Sequence, residues 1–132
     1  MMRFNAGDVV EIEMQEDGFY DSYYEAVVVR RLRGRYVVEY LSLLTDDETG
    51  PLVEEVNALT VRPVPPYTHR EFYEEEDTVD VYVNDGWWFG RVVGYAGAHY
   101  TVMFDHYREY AIYHISRLRV HRDFAQGQWF PP

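Results

Sequence analysis

Apolar and polar residues alternate with a period of two along most of the chain. The stretches 9–14 (VVEIEM), 23–29 (YYEAVVV), 35–40 (RYVVEY), 78–83 (TVDVYV), 90–95 (GRVVGY) and 99–104 (HYTVMF) alternate or run β-branched and aromatic. That spacing predicts strands. No long stretch has the three- and four-residue spacing of an amphipathic helix. The intervening segments EDG, RLRG, DDETGP, NDG and YAGA each carry a glycine or asparagine suited to a tight turn, which predicts short antiparallel connections. The expected class is all-β.

The predicted strands also repeat in order. DVVEIEMQEDG (8–18) matches EDTVDVYVNDG (76–86), YYEAVVV (23–29) matches WWFGRVV (87–93), RYVVEY matches HYTVMF, and LTVRP (59–63) matches SRLRV (116–120). The separation between matched blocks shortens along the chain, so the first copy carries extra residues in two loops, FYDS and LLTDDETGPL. Insertions confined to loops are what a duplication leaves. Each unit, about 55 to 60 residues, has the size of a small SH3-like barrel and is marginal alone, so the two are expected to pack as one body. The expected division is 1–66 and 67–132, joined by a stiff segment VPPYTHRE (64–71) with two prolines.

Composition narrows the function. The chain has 132 residues, no cysteine and a net charge of −11. Disulfides and thiolate metal sites are unavailable, and a phosphate backbone is a poor general partner for so acidic a surface. All twelve basic residues are arginine; four of them fall in RRLRGR (30–35), the one candidate for nucleic-acid contact. No apolar run is long enough to span a bilayer and the start lacks a signal peptide, which reads as a soluble intracellular protein. Met-Met at the start and WFPP at the end read as the edges of a piece of a longer protein. The histidines His69, His99, His106, His114 and His121 are scattered without metal-ligand spacing, and no phosphate-binding or nucleophile motif occurs. No enzyme activity, metal or cofactor is expected. The excess is aromatic: thirteen tyrosines, seven phenylalanines and three tryptophans. A core of this size rarely hides so many, so some should face a ligand.

The motifs FNAGDVVE (4–11), DGFYDSYYEA (17–26), VEYLSLLTDDETGPLVEEV (38–56), VDVYVNDGWWFGRVV (79–93) and RLRVHRD (117–123), in this order, resemble a tandem pair of plant agenet domains, members of the Tudor-like royal superfamily. The resemblance implies a nuclear chromatin protein whose paired barrels bind a methylated histone H3 tail, most similar to agenet heterochromatin readers of dimethylated lysine 9. A methylated ammonium keeps its charge but loses hydrogen-bonding hydrogens, so ring faces suit it, at roughly 0.5 to 2 kcal/mol each.

In Tudor-like barrels the aromatic cage sits at one end. The resemblance carries that place onto Trp88, Phe104 and Tyr107 in the second repeat, with Tyr82 as a fourth wall if the first strand bulges; otherwise Val83 falls there. The alternative in the first repeat is Tyr23, Tyr24 and Tyr40, with Asp46 or Asp47 accepting from a dimethylammonium proton. Trp87 and Phe89 have the opposite strand parity from Trp88 and are expected between the repeats. Glu16, Asp17, Asp21, Asp47, Glu48, Glu74, Glu75 and Glu76 are either solvated faces or an acidic groove for basic residues of the tail. Two rival functions remain open: a nucleic-acid-binding small barrel, and a protein-interaction domain indifferent to methylation.

Overall fold

The structure, a computed structural model, describes residues 2–68 and 70–132; Met1 and His69 lie outside the described residues. The first repeat contains β1 (Val9–Glu13), β2 (Ser22–Leu32), β3 (Arg35–Leu44), β4 (Pro51–Asn57) and β5 (Val61–Pro63). The second repeats the order with β6 (Thr78–Val83), β7 (Gly86–Ala96), β8 (His99–Phe104), β9 (Glu109–His114) and β10 (Leu118–Val120). A hairpin of β11 (Asp123–Ala125) and β12 (Gln128–Phe130) ends the chain. The fold is all-β, as the alternation predicts.

Within each repeat the ladder runs β5-β1-β2-β3-β4 or β10-β6-β7-β8-β9, all antiparallel. No ladder joins the two outer strands among the described residues; a 3₁₀ turn, Ala58–Thr60 or Ile115–Arg117, carries the chain across that seam. Both turns are capped from their first flanking side chain. Asn57 accepts from the Leu59 amide at 2.8 Å, and His114 Nδ1 accepts from the Ser116 amide at 3.1 Å. Capping satisfies amides that the turn leaves without partners.

The long second strand of each repeat serves both halves of its sheet because it bends at a register shift, between Val28 and Arg30 in β2 and between Val92 and Gly94 in β7. Strand alternation then sends Val10, Ile12, Ala26, Val28 and Val38 into one core and Val79, Val81, Val92 and Val102 into the other. Each buried valine or isoleucine contributes roughly 1.5–3 kcal/mol relative to exposure. Tyr36 and Tyr100 hold equivalent posts, accepting the amides of Phe4 and Tyr73 at 3.1 Å on their hydroxyls. The outer strands β4 and β9 escaped the pattern reading, as did the terminal hairpin of β11 and β12, while β5 and β10 figured in it only as repeated blocks. β4 and β9 are each half-buried on one side only, and in β4 two adjacent glutamates, Glu54 and Glu55, mask the alternation.

The two sheets are continuous. β2 pairs antiparallel with β7, Ser22 opposite Trp88 and Tyr23 opposite Trp87, and the Phe89 amide donates to the Asp21 carbonyl at 2.8 Å. The result is one ten-stranded sheet. The joint beneath this pairing is ionic. Glu11 and Asp80, both fully buried, are each paired across their strand with an arginine, Arg62 and Arg119. Arg62 Nη2 lies 2.8 Å from Glu11 Oε1, while Arg119 donates both to Asp80 Oδ2 at 2.9 Å and to Glu11 Oε2 at 2.7 Å. The guanidiniums lie over rings of the facing pair, Arg62 at 3.6 Å from the Tyr23 centroid and Arg119 at 4.2 Å from that of Trp87. Two carboxylates and two guanidiniums balance in charge, the condition under which such groups tolerate burial.

Candidate functional site

The site begins at the β6–β7 turn. Asn84 and Asp85 both have positive φ, 52° and 64°, the geometry of a two-residue hairpin whose twist matches its strands. Gly86, already in β7, is buried for another reason: a Cβ there would overlap the Tyr24 ring. Tyr24 therefore lies flat against the second repeat's backbone, its hydroxyl donating to the Asn84 carbonyl at 2.7 Å.

On the other side of this hairpin is an open cavity of about 240 Å³. Its walls are the rings of Trp88, Phe104, Tyr107 and Tyr113. Val83, Asn84 and Glu109 close the second repeat's side, and Gly18 closes the first's. Trp88 and Tyr107 stand edge to face with centroids 5.9 Å apart, as do Phe104 and Tyr113 at 6.2 Å. The loop before β2 forms the remaining wall. Phe19 tilts onto Trp88 at 6.1 Å, Tyr20 lies 5.6 Å from His106, and the Tyr107 hydroxyl donates to the Tyr20 carbonyl at 2.8 Å. The cavity is thus composite, its rings from one repeat and its overhang from the other.

Carboxylates stand at its rim. Tyr113 titrates above its ordinary range, first through burial and then through the nearby charge of Glu109. Tyr107 is raised likewise by burial and by Asp21. Four rings with flanking negative charge are suited to an organic cation.

The expected residues divide accordingly. Trp88, Phe104 and Tyr107 are brought together. Tyr82 is not: it lies outside this cavity, half-exposed against Trp87 with centroids 5.1 Å apart, and Val83 takes the wall position. The absence of a bulge in β6 explains this, since Tyr82 and Val83 pair in unbroken register with Trp87 and Gly86. Tyr23, Tyr24, Tyr40 and Asp46 form no common cavity. Tyr23 is under Arg62, Tyr24 is pinned in the hairpin, Tyr40 is in the core with its hydroxyl donating to Glu54 at 2.7 Å, and Asp46 is exposed in the turn after β3. Trp87 and Phe89 lie at the joint, Phe89 at 4.4 Å from His121.

The acidic residues also separate. Gly18, which closes the cavity, is flanked in its loop by Glu16 and Asp17 on one side and Asp21 on the other. Glu16 itself lines a second opening of about 240 Å³ with Glu13, Glu54 and Tyr40. Asp47 is spent on its own turn: it accepts from both Thr45 and Thr49, which lowers its pKa to about 2. Glu48 sits in that turn with φ 58°. Glu74, Glu75 and Glu76 are exposed just before β6 and beside the middle of β7, where Glu76 pairs with Arg91 at 3.3 Å. Tyr113, Glu109 and Gly18 were not anticipated. Tyr113 and Glu109 belong to an unrecognised strand, and Gly18 comes from the other repeat.

A pair of five-stranded Tudor-like units sharing one sheet, with an aromatic cavity where they meet, defines an interaction module of the tandem royal type. The chain belongs to the Agenet family: the Agenet domain model matches residues 7–66, and two tandem Agenet structures superpose on nearly all of the chain. The crystal structure of Arabidopsis thaliana AGDP1 AGD34 aligns at TM-score 0.90 with 33% identity, covering 96% of this chain and 88% of that one. The ADCP1 tandem Agenet domain 3-4 aligns at TM-score 0.86 with 30% identity, covering 96% and 86%. Among curated proteins, the Arabidopsis thaliana protein AGENET DOMAIN (AGD)-CONTAINING P1 is 35% identical over 96% of this chain. DUF724 domain-containing protein 3 of the same plant is 32% identical over 99%. This chain spans 25% and 20% of those two relatives. Agenet domains mediate protein or peptide interactions.

Proposed function

We propose that the two repeats, 1–66 and 67–132, act together as a non-enzymatic chromatin reader in the nucleus. The ligand is a methylated lysine of the histone H3 tail, dimethylated lysine 9, held in the cavity of Trp88, Phe104, Tyr107 and Tyr113. The observation that carries this reading is that four rings and the Glu109 carboxylate line one solvent-open cavity. Neutral apolar ligands gain nothing from that carboxylate. Unmethylated ammonium remains better hydrated in water, whereas a dimethylammonium loses little hydration, gains ring contacts and keeps one proton to donate. Glu16, Asp17 and Asp21 in the neighbouring loop attract the arginines and lysines of the tail. No cofactor enters this function, and the segment works within a longer multi-Agenet protein.

Calorimetric titration with dimethylated and unmethylated H3 peptides tests the reading. We expect the methylated peptide to bind at least about tenfold more tightly, a difference of about 1.4 kcal/mol. Equal affinities would replace it with a peptide-docking module indifferent to methylation.

A further inference from the structure

The net charge of −11 conceals a strongly polarised molecule. β2 carries Asp21 before its first residue and Arg30 and Arg31 near its last, and its eleven residues span roughly 35 Å at the usual rise per residue. The hairpin it forms with β3 continues through Arg33 and Gly34, the glycine at φ 68°, to Arg35. Arg3 joins Arg31 and Arg33 around a shallow opening of about 370 Å³. Of these five arginines only Arg35 has a carboxylate partner among the described residues, Glu55 at 3.6 Å with both side chains half-exposed. Elsewhere most arginines are engaged: Arg62 and Arg119 in the joint, Arg91 with Asp105 and Glu76, Arg70 beside Asp77, and Arg117 and Arg122 with the carbonyls of Tyr82 and Pro66. Outside this tip only the side chain of Arg108, alone in the turn after β8, lacks a partner among the described residues.

The fold does not require this charge. The equivalent hairpin of the second repeat, between β7 and β8, turns through Gly97 and Ala98 and has no arginine between Tyr95 and Tyr100. We infer that the Arg30–Arg33 hairpin is a docking surface for the phosphate backbone of duplex DNA, separate from the aromatic cavity and at the other end of β2. Guanidinium groups present a planar fork that matches phosphate oxygens. A two-stranded ribbon fits the major groove of B-DNA, about 12 Å wide. Consecutive positions Arg30 and Arg31 pair with Val37 and Tyr36, so they project to opposite faces of the ribbon and reach both phosphate rows. Single strands are disfavoured because the tip offers no ring on which bases stack; Tyr36, the nearest, is buried. The acidic body turns away from the duplex and confines contact to this tip.

The test is fluorescence anisotropy of a labelled mixed-sequence duplex with the 132-residue chain and with the combined variant Arg30→Ala, Arg31→Ala, Arg33→Ala. The wild type should bind at about 50 mM salt, with a log–log salt slope near −3 for three to four phosphate contacts. The triple variant should bind at least about tenfold more weakly while keeping its thermal transition and its affinity for the methylated peptide. A triple lysine variant should retain salt-sensitive binding. Unaltered binding by the alanine variant overturns the inference, as does no wild-type binding at low salt. Stronger competition by polyglutamate, anionic vesicles or single-stranded DNA than by duplex overturns it too, in favour of that partner.

Discussion

The mouths of the two repeats start from equivalent residues and end differently. Tyr24 and Tyr40 in the first correspond in order to Trp88 and Phe104 in the second. Yet Tyr24 is closed into the core and Tyr40, almost fully buried, is the only ring in the opening beside Glu16, whereas Trp88 and Phe104 line an open cavity of four rings. The rings themselves do not decide this. The neighbour of the first mouth is a two-residue hairpin, which lays Gly86 flat on Tyr24. The neighbour of the second is the longer loop before β2, which arches over Trp88 and leaves space beneath Gly18. Unequal loop lengths thus break a near-twofold arrangement, so one aromatic position acts in packing and its counterpart is free to meet a ligand.

The largest effect should come where the arrangement remains symmetric. Glu11→Ala leaves Arg62 and Arg119 short of a buried carboxylate and should cost about 3–5 kcal/mol in urea unfolding; a loss below about 1 kcal/mol would mean that the joint does not depend on this ion network. Next comes the contrast between the mouths. Tyr24→Ala should lower stability by about 3 kcal/mol or more, whereas Trp88→Ala should chiefly weaken binding of the methylated peptide, by about 1.4 kcal/mol or more. If Tyr24→Phe abolished peptide binding and Trp88→Ala spared it, the assignment of the two mouths would be reversed.

Gly86→Ala tests the hairpin's fit on Tyr24 and should cost about 1–3 kcal/mol by overpacking, read as a lowered unfolding midpoint. Tyr107→Phe removes the hydrogen bond to the Tyr20 carbonyl, and a loss of about 0.5–1.5 kcal/mol in peptide affinity is expected as the overhang loosens; unchanged affinity would mean that the loop holds its place without it. The pH dependence is the finest probe. Burial opposes charge on His121, but the hydrogen bonds and charges of Asp80 at 2.7 Å and Asp123 at 3.0 Å outweigh it and raise its pKa. Its contribution is therefore complete below the ordinary histidine value near 6.5 and declines as pH rises through the raised folded value. His121→Gln should flatten that part of the stability profile; an identical profile in the variant would remove His121 from the joint's titration.

Period-two alternation and turn residues were enough to read the all-β class, the duplication and the inward parity of Trp88 and Phe104, because these are local properties of strands. β4 was hidden because the adjacent Glu54 and Glu55 mask its alternation, and β9 because its exposed face carries the apolar Tyr110 and Ile112; with β9 went Tyr113 and Glu109. Tyr82 was misplaced because a strand's parity at its end depends on whether the ladder slips, which is fixed by its partner. Arg30 to Arg35 stood out in the sequence, but net charge obscured them; only the structure shows that they stand at the far tip of β2 and that among them Arg35 alone has a carboxylate partner among the described residues.

By itself, the sequence determined which residues alternate, where the chain turns and which rings stand at strand ends. The tertiary structure alone decided that Tyr24 packs and Trp88 opens onto a cavity, since that depends on which loop of the other repeat lies against each ring. Loop length is written in the chain. What the loop covers is settled only when β2 pairs with β7.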